Sequence, residues 1–193
     1  LPEQRLNEGV VRLDVVEPRL SSVVVSGNRY FDQSNILTSL PHLELGQVPN
    51  IDDISVDLKV ANENPAKQVK MLLNTETSAN RVRADLKVVD QRPWHFEFFV
   101  DDTGTAGSDK YRAGVIFRHN NLFNRDHLLS MQYTTSPKDP SEISVVGLGY
   151  RIPLYSLGDS FDLFAAYSDV DSGQTTQGLA DLEIRGKGVL AGI

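Results

Sequence analysis

Cysteine is absent from the 193 residues, which excludes a disulfide scaffold and any thiolate-bound metal. Runs of basic residues are absent as well. With a net charge of −7 and no Lys/Arg cluster, the chain carries no electrostatic footprint for nucleic acid. No stretch nears the roughly 18–20 consecutive apolar residues of a membrane helix, and the N-terminus lacks the basic flank and apolar centre of a signal peptide. His42, His95, His119 and His127 are scattered, with neither a His-x-x-x-His nor a His-Glu spacing. No Gly-x-Ser-x-Gly elbow occurs. Gly147-x-Gly149 and Gly186-x-Gly188 fall inside alternating segments instead of at a helix start, so they read as strand glycines that relieve crowding where strands bend. His95 and Glu97 share a strand face and could form a proton-transfer pair, but such a pair is far more often a lumen-facing polar contact. The chain is therefore expected to be no enzyme, with no catalytic residue, metal or cofactor.

What the sequence does have is a change of rhythm at Trp94. From there, apolar and polar residues alternate in segment after segment, separated by Gly, Asp, Ser and Pro. Trp94, Phe96, Phe98 and Val100 make the first apolar row, opposite His95, Glu97, Phe99 and Asp101. Further strands are predicted over 110–120, 127–134, 142–154, 160–168 and 180–193. Their apolar rows are Tyr111, Ala113, Val115 and Phe117; Leu129, Met131 and Tyr133; Val146, Leu148, Tyr150 and Ile152; Phe161, Leu163, Ala165 and Tyr167; and Leu182, Ile184 and Leu190. Arg112, Arg118, Gln132, Arg151, Asp162, Glu183, Arg185 and Lys187 fall in the opposite rows. Such a period suits a transmembrane β-barrel, where a charge facing lipid at mid-bilayer costs roughly 2–4 kcal/mol. A soluble antiparallel sheet with one wet face alternates in the same way, so a periplasmic β-sandwich binding module stays open. About six strands fall short of the roughly eight with which bacterial barrels begin. The segment is therefore expected to be the start of a longer barrel.

Before Trp94 the pattern is that of a small α+β module. Gly9–Val16 alternates as a strand, and Leu20–Ser26 forms a second that Gly27-Asn28 closes. Asp32 is placed to cap a short helix carrying Ile36, Leu37 and Leu40, which Pro41 stops. Asn50 caps a second helix with Ile51, Ile54, Leu58 and Ala61 on one stripe, ended by Asn62 and Asn64-Pro65. Two strands follow, one with Val69, Met71 and Leu73 in a row, the other with Val82, Ala84, Leu86 and Val88. Two amphipathic helices on one face of a three-stranded sheet make a two-layer β-α-α-β-β module.

Several ordered pieces resemble the outer-membrane transporters of two-partner secretion, the family that exports filamentous haemagglutinins, haemolysins and adhesins. Leu1-Pro2-Glu3-Gln4 and the segment Gly9–Glu17 look like the junction between its two polypeptide-transport-associated (POTRA) domains. The segment Val23–Phe31 looks like the opening of the second. Leu45-Gly46-Gln47-Val48-Pro49-Asn50 and Ala61-Asn62-Glu63-Asn64-Pro65 resemble its second helix and the Asn-x-Asn-Pro turn. Arg92-Pro93-Trp94, Asp101-Asp102-x-Gly104, the turn Asn121–Asp126, Tyr150-x-x-Pro153-Leu154 and Gly158-Asp159 look like the first barrel strands and turns.

The resemblance implies three parts: 1–18 as the end of a preceding POTRA domain or a linker strand, 19–91 as a POTRA domain, and 92–193 as the first strands of an outer-membrane barrel. It places the family's plug helix before Leu1 and its inward loop with the Arg-Gly-Tyr signature beyond Ile193. It implies a Gram-negative outer-membrane location with the POTRA domain in the periplasm. The implied partners are an unfolded secreted exoprotein and outer-membrane lipid; open strand edges would also allow strand exchange between copies. Assembly of barrel proteins is the alternative within the same architecture. The partner is expected to add a strand to a sheet edge. Val69, Lys70, Met71 and Leu73 form the expected edge, with Ile36 and Leu37 on the flanking first helix. Core packing is the competing role for their side chains, which would leave the backbone edge and a rim residue such as Lys70.

Overall fold

The computed structural model describes residues 16–76, 80–104, 110–177 and 180–193, with 172–177 and 180–185 described by their backbone alone. The strand expected at Gly9–Val16 lies outside the described residues, save for Val16.

The first layer begins with β1 (Arg19–Ser26), followed by α1 (Gln33–Thr38) and α2 (Ile51–Ala61), then β2 (Lys67–Thr75) and β3 (Arg81–Asp90). Local chemistry sets each boundary. Gly27 takes φ +87°, and a Cβ there would sit 2.4 Å from the Val88 carbonyl oxygen, so only glycine fits the exit from β1. The turn that follows is gathered by Asp90, whose carboxylate accepts the backbone N–H groups of Arg29, Tyr30 and Phe31 at 2.7–3.1 Å. Asp32 caps α1 by accepting from Asn35 N at 2.7 Å. Asn50 caps α2, accepting from Asp52 N at 3.1 Å, with Asp52 and Asp53 at the positive end of the helix and Lys59 near the negative one.

The sheet order is β1-β3-β2, with β1 parallel and β2 antiparallel to β3. Leu20, Phe31, Ile36, Leu40, Ile54, Val69 and the Val82–Val88 row close one core between this sheet and the helices. Ile51 departs from the expected stripe and is exposed. The buried positions of α2 are Ile54, Asp57, Val60 and Ala61, because Asp57 is drawn inward by His42, as described below.

Trp94–Asp101 (β4), Arg112–Leu122 (β5), His127–Thr135 (β6), Ile143–Leu154 (β7), Asp159–Gln177 (β8) and Ala180–Gly192 (β9) form one antiparallel sheet in sequential order. The register stacks Phe96, Phe117, Met131, Leu148 and Ala165 across five strands on one face, and His95, Arg118 and Ser130 on the other. Phe98 and Val100 are 78% and 72% exposed on the apolar face.

The register corrects two expectations. Leu190 pairs with Ala166 on the polar side, while Val189 pairs with Tyr167 and belongs to the apolar row. Lys187 pairs with Asp169, in line with the apolar row instead of opposite it. Lys187 sits where β8 runs on past Ser168, the end predicted for it, whereas Leu190 lies before that point. Past Tyr167 the sequence turns polar while the β8–β9 pairing continues, since ladder hydrogen bonds do not depend on alternation. The glycine expectation also changes. Gly147 and Gly149 have nothing within 3.8 Å of a built Cβ, whereas Gly114 and Gly192 lie under the rings of Phe99 and Phe164 at 2.3 Å.

Candidate functional site: an open edge and a buried seam

Strand β2 is an outer strand of its sheet, and its backbone groups alternate between β3 and the open side. Gln68, Lys70, Leu72 and Asn74 have the parity that bonds β3, as Glu76 N does to Arg81 O at 2.9 Å. Val69, Met71, Leu73 and Thr75 point outward. Asn62, the residue after α2, occupies the first of these: its amide donates to Val69 O at 3.0 Å and accepts from Val69 N at 2.6 Å. Among the described residues, nothing meets the outward groups of Met71, Leu73 and Thr75. The open edge is thus Met71–Thr75.

The candidate residues divide along this edge. Ile36 and Val69 are buried in the core, and Leu37, Met71 and Leu73 pack against it half-buried. Lys70 is exposed on the face turned away from the helices. Helix α2 lies against β2, and α1 contributes Ile36 to the cluster that holds Val69.

At its other end β2 is pinned to the second sheet. Lys67 stands in the core-facing row, fully buried, and its ammonium meets the Asp126 carboxylate in the β5–β6 turn. Tyr155 OH, in the one-turn helix Tyr155–Leu157, donates to the same carboxylate. Asn35 Nδ2 and Asn64 Nδ2 each approach Asp126 Oδ1 at 3.2 Å, and Lys67 Nζ also donates to Asn35 Oδ1 at 3.0 Å. Asn64 further donates to Asn120 O at 2.6 Å. Both carboxylate oxygens of Asp126 are therefore engaged, Oδ2 by Lys67 and Tyr155 and Oδ1 by Asn35 and Asn64, and such added hydrogen bonds are what make a buried ion pair tolerable. Burial pulls the Lys67 ammonium below the usual lysine range, against the opposing pull of Asp126. Burial, reinforced by the Asp126 charge, raises the Tyr155 phenol. The turn bearing Asp126 is tight, with Phe123, Asn124 and Asp126 all at φ 56–60°.

Further contacts cross the same seam. A Cβ on Gly158 would lie 2.7 Å from Val56 of α2, and Glu63 faces Arg151 of β7 at 3.8 Å. Arg151 also donates to Asp162 of β8 at 2.6 Å. Pro65 borders a cavity of about 420 Å³ with Arg118, Asn120, Ser130, Gly149 and Arg151, on the polar face of the second sheet. On that face Glu97 accepts from Arg118 at 3.2 Å, so its polar partner is Arg118.

A second charge lies inside the small module. Asp57, fully buried on α2, accepts His42 N and pairs with His42 Nδ1, both at 2.9 Å. The bond to Asp57 raises the His42 imidazole above its usual value, with Asp53 and Glu44 adding to it. In the sequence Asp126 stands out only as the end of the Asn121–Asp126 turn, and Asn35, Tyr155 and Asp57 not at all. A lysine in the row Lys67-Val69-Met71 and an aspartate beside the α2 stripe were the available signals, since a charge in a core-facing row requires a buried partner. Among the described residues no cluster of three or more His, Asp or Glu is arranged to hold a metal.

Comparison with solved structures shows the same fold. CdiB from Escherichia coli matches with a TM-score of 0.74 and 18% identity, over 94% of this chain and 33% of that one. BamA from Haemophilus ducreyi lacking POTRA domains 1–3 matches at 0.52 with 14% identity, over 80% and 28%. CdiB from Acinetobacter baumannii matches at 0.52 with 19% identity, over 79% and 28%. The chain thus spans about a third or less of these structures. No curated protein matches it by sequence. Residues 82–188, more than half of the chain, match the family described as haemolysin secretion/activation protein ShlB/FhaC/HecB. This chain, with its three-stranded α+β module joined to an antiparallel six-stranded sheet, belongs to that haemolysin secretion/activation family.

Proposed function

We propose that the chain is part of an outer-membrane transporter of the two-partner secretion type. Residues 19–91 act as a periplasmic POTRA domain, and 92–193 supply the first strands of a β-barrel pore. The observation that carries this reading is the two-faced second sheet, in a chain whose family membership rests on the same residues. Phe96, Phe117, Met131 and Leu148 face lipid; Arg118, Gln132 and Arg151 face the pore.

An unfolded partner protein reaches the module in the periplasm and adds an extended segment to the open side of β2. Backbone hydrogen bonds supply affinity, and the half-buried flank at Leu37, Met71 and Leu73 selects apolar side chains at alternate positions. Lys70 lies at the rim. Folding of the partner outside the cell drives export, so the site needs no cofactor.

The test is made on the full-length gene product and a strain lacking it. A heat-modifiable band in the outer membrane, with loss of one exoprotein from the medium, supports the transporter. Broad loss of outer-membrane barrels in the deletion strain would replace export by barrel assembly. A soluble periplasmic product without a heat shift would replace both by a binding module.

A further inference from the structure

The Asn62-x-Asn64-Pro65 turn divides two tasks between its asparagines. Asn64 reaches across the seam to Asn120 and Asp126, while Asn62 turns back onto β2 and saturates both outward backbone groups of Val69. Asn62 thereby occupies the place an added strand would take. Beyond it, toward Lys67, the edge stays occupied: Lys67 N donates to Asn64 O at 3.3 Å. An added strand that pairs with Thr75, Leu73 and Met71 has no partner at Val69 and must leave the sheet there. The point of departure adjoins the polar face of the second sheet, through Glu63 facing Arg151 and Pro65 beside Arg118 and Arg151.

We infer that Asn62 is the positioning residue that ends the acceptor edge, limiting a bound polypeptide to the Met71–Thr75 strip and turning it off beside the pore-facing side of the second sheet. The inference rests on the edge-binding reading given above and adds its limit and direction. A short acceptor strip holds a passing chain weakly. Extending it by the two Val69 bonds would hold the chain longer, so the seal trades affinity for release.

The variant Asn62→Ala opens the Val69 N–H and C=O. Binding is measured on the full-length transporter in nanodiscs, by fluorescence anisotropy of a labelled ten-residue peptide of alternating threonine and valine with a lysine at each end. Two added backbone bonds predict about tenfold tighter binding, with slower appearance of the exoprotein in the medium. A residue that only supports the fold would instead weaken binding when removed. Met71→Pro, which deletes an outward N–H from the strip, serves as the control and abolishes binding. Unchanged or weaker binding in Asn62→Ala, with Met71→Pro still abolishing it, overturns the role of Asn62 and leaves the edge reading standing. Full binding by Met71→Pro overturns the edge reading itself. Should Asn62→Ala lose its heat-modifiable band, Asn62→Gly decides: it vacates the place beside Val69 and suits the end of α2. The same tightening of about tenfold is then expected, and no tightening overturns the inference.

Discussion

Lys67 and Asp126 show how much one buried pair can decide. Removing one partner of a fully buried ion pair typically costs about 3–5 kcal/mol, because the other charge is stranded. Lys67→Met is therefore expected to lower the unfolding free energy by that amount in urea titrations of the detergent-solubilised protein. Lys67→Met combined with Asp126→Asn should recover part of the loss, since no charge then remains while the amide oxygen still accepts from Tyr155 and asparagine tolerates the positive φ. His42 makes a separate prediction. Its folded pKa is raised by Asp57, so its contribution to stability is fully present below the unfolded value of about 6.5 and fades as pH rises through the folded value. Thermal unfolding should thus show a downward step in stability above about pH 6.5 that His42→Gln removes; an unchanged profile in that variant would exclude the His42–Asp57 pair as its source. At this scale the caps were legible, because Asp32 and Asn50 are short acceptors placed just before helical stripes. The partners of the buried charges were not, because Asp126 is 59 positions from Lys67 and only the folded chain brings them together.

At the level of elements, alternation located the strands and left their ends and faces less certain. β8 continues to Gln177 although its sequence turns polar after Tyr167, since a hairpin that has cleared the apolar band keeps its backbone bonds without any need for alternation. The face of β9 went astray at Leu190, because the register is fixed by pairing with β8 and not by the hydrophobicity of β9 alone. The glycines of the second sheet offer a test of its packing. Gly114→Leu would drive a side chain into Phe99, at a cost of about 1–3 kcal/mol, whereas Gly147→Ala meets nothing closer than 3.8 Å. The temperature at which the folded band converts on a gel should fall for the first variant and stay put for the second. The open edge of β2 was legible as a strand flank; its closure by Asn62 was not, because a side chain standing in for a strand leaves no periodic signal.

On the scale of the whole molecule, the two sheets are joined by Gln91, Arg92 and Pro93 between β3 and β4 and by the seam around Asp126. The backbone adds Asn120 N donating to Pro93 O at 2.6 Å. A short link and a saturated buried network together predict little swing between the layers. Spin labels on Lys70→Cys and Leu157→Cys, both exposed sites in a sequence free of native cysteine, should give a narrow distance distribution that Lys67→Met broadens. An equally broad distribution in both proteins would mean that the seam does not fix their orientation. The same seam bears on inheritance. Its lysine and its aspartate sit on opposite sides of the only covalent crossing between β3 and β4, so recombination at Gln91–Pro93 would separate partners that depend on each other. A lineage can exchange its three-stranded module freely only if Asn35, Asn64 and Lys67 meet a matching turn in the recipient; the two halves are then bound to diverge in step.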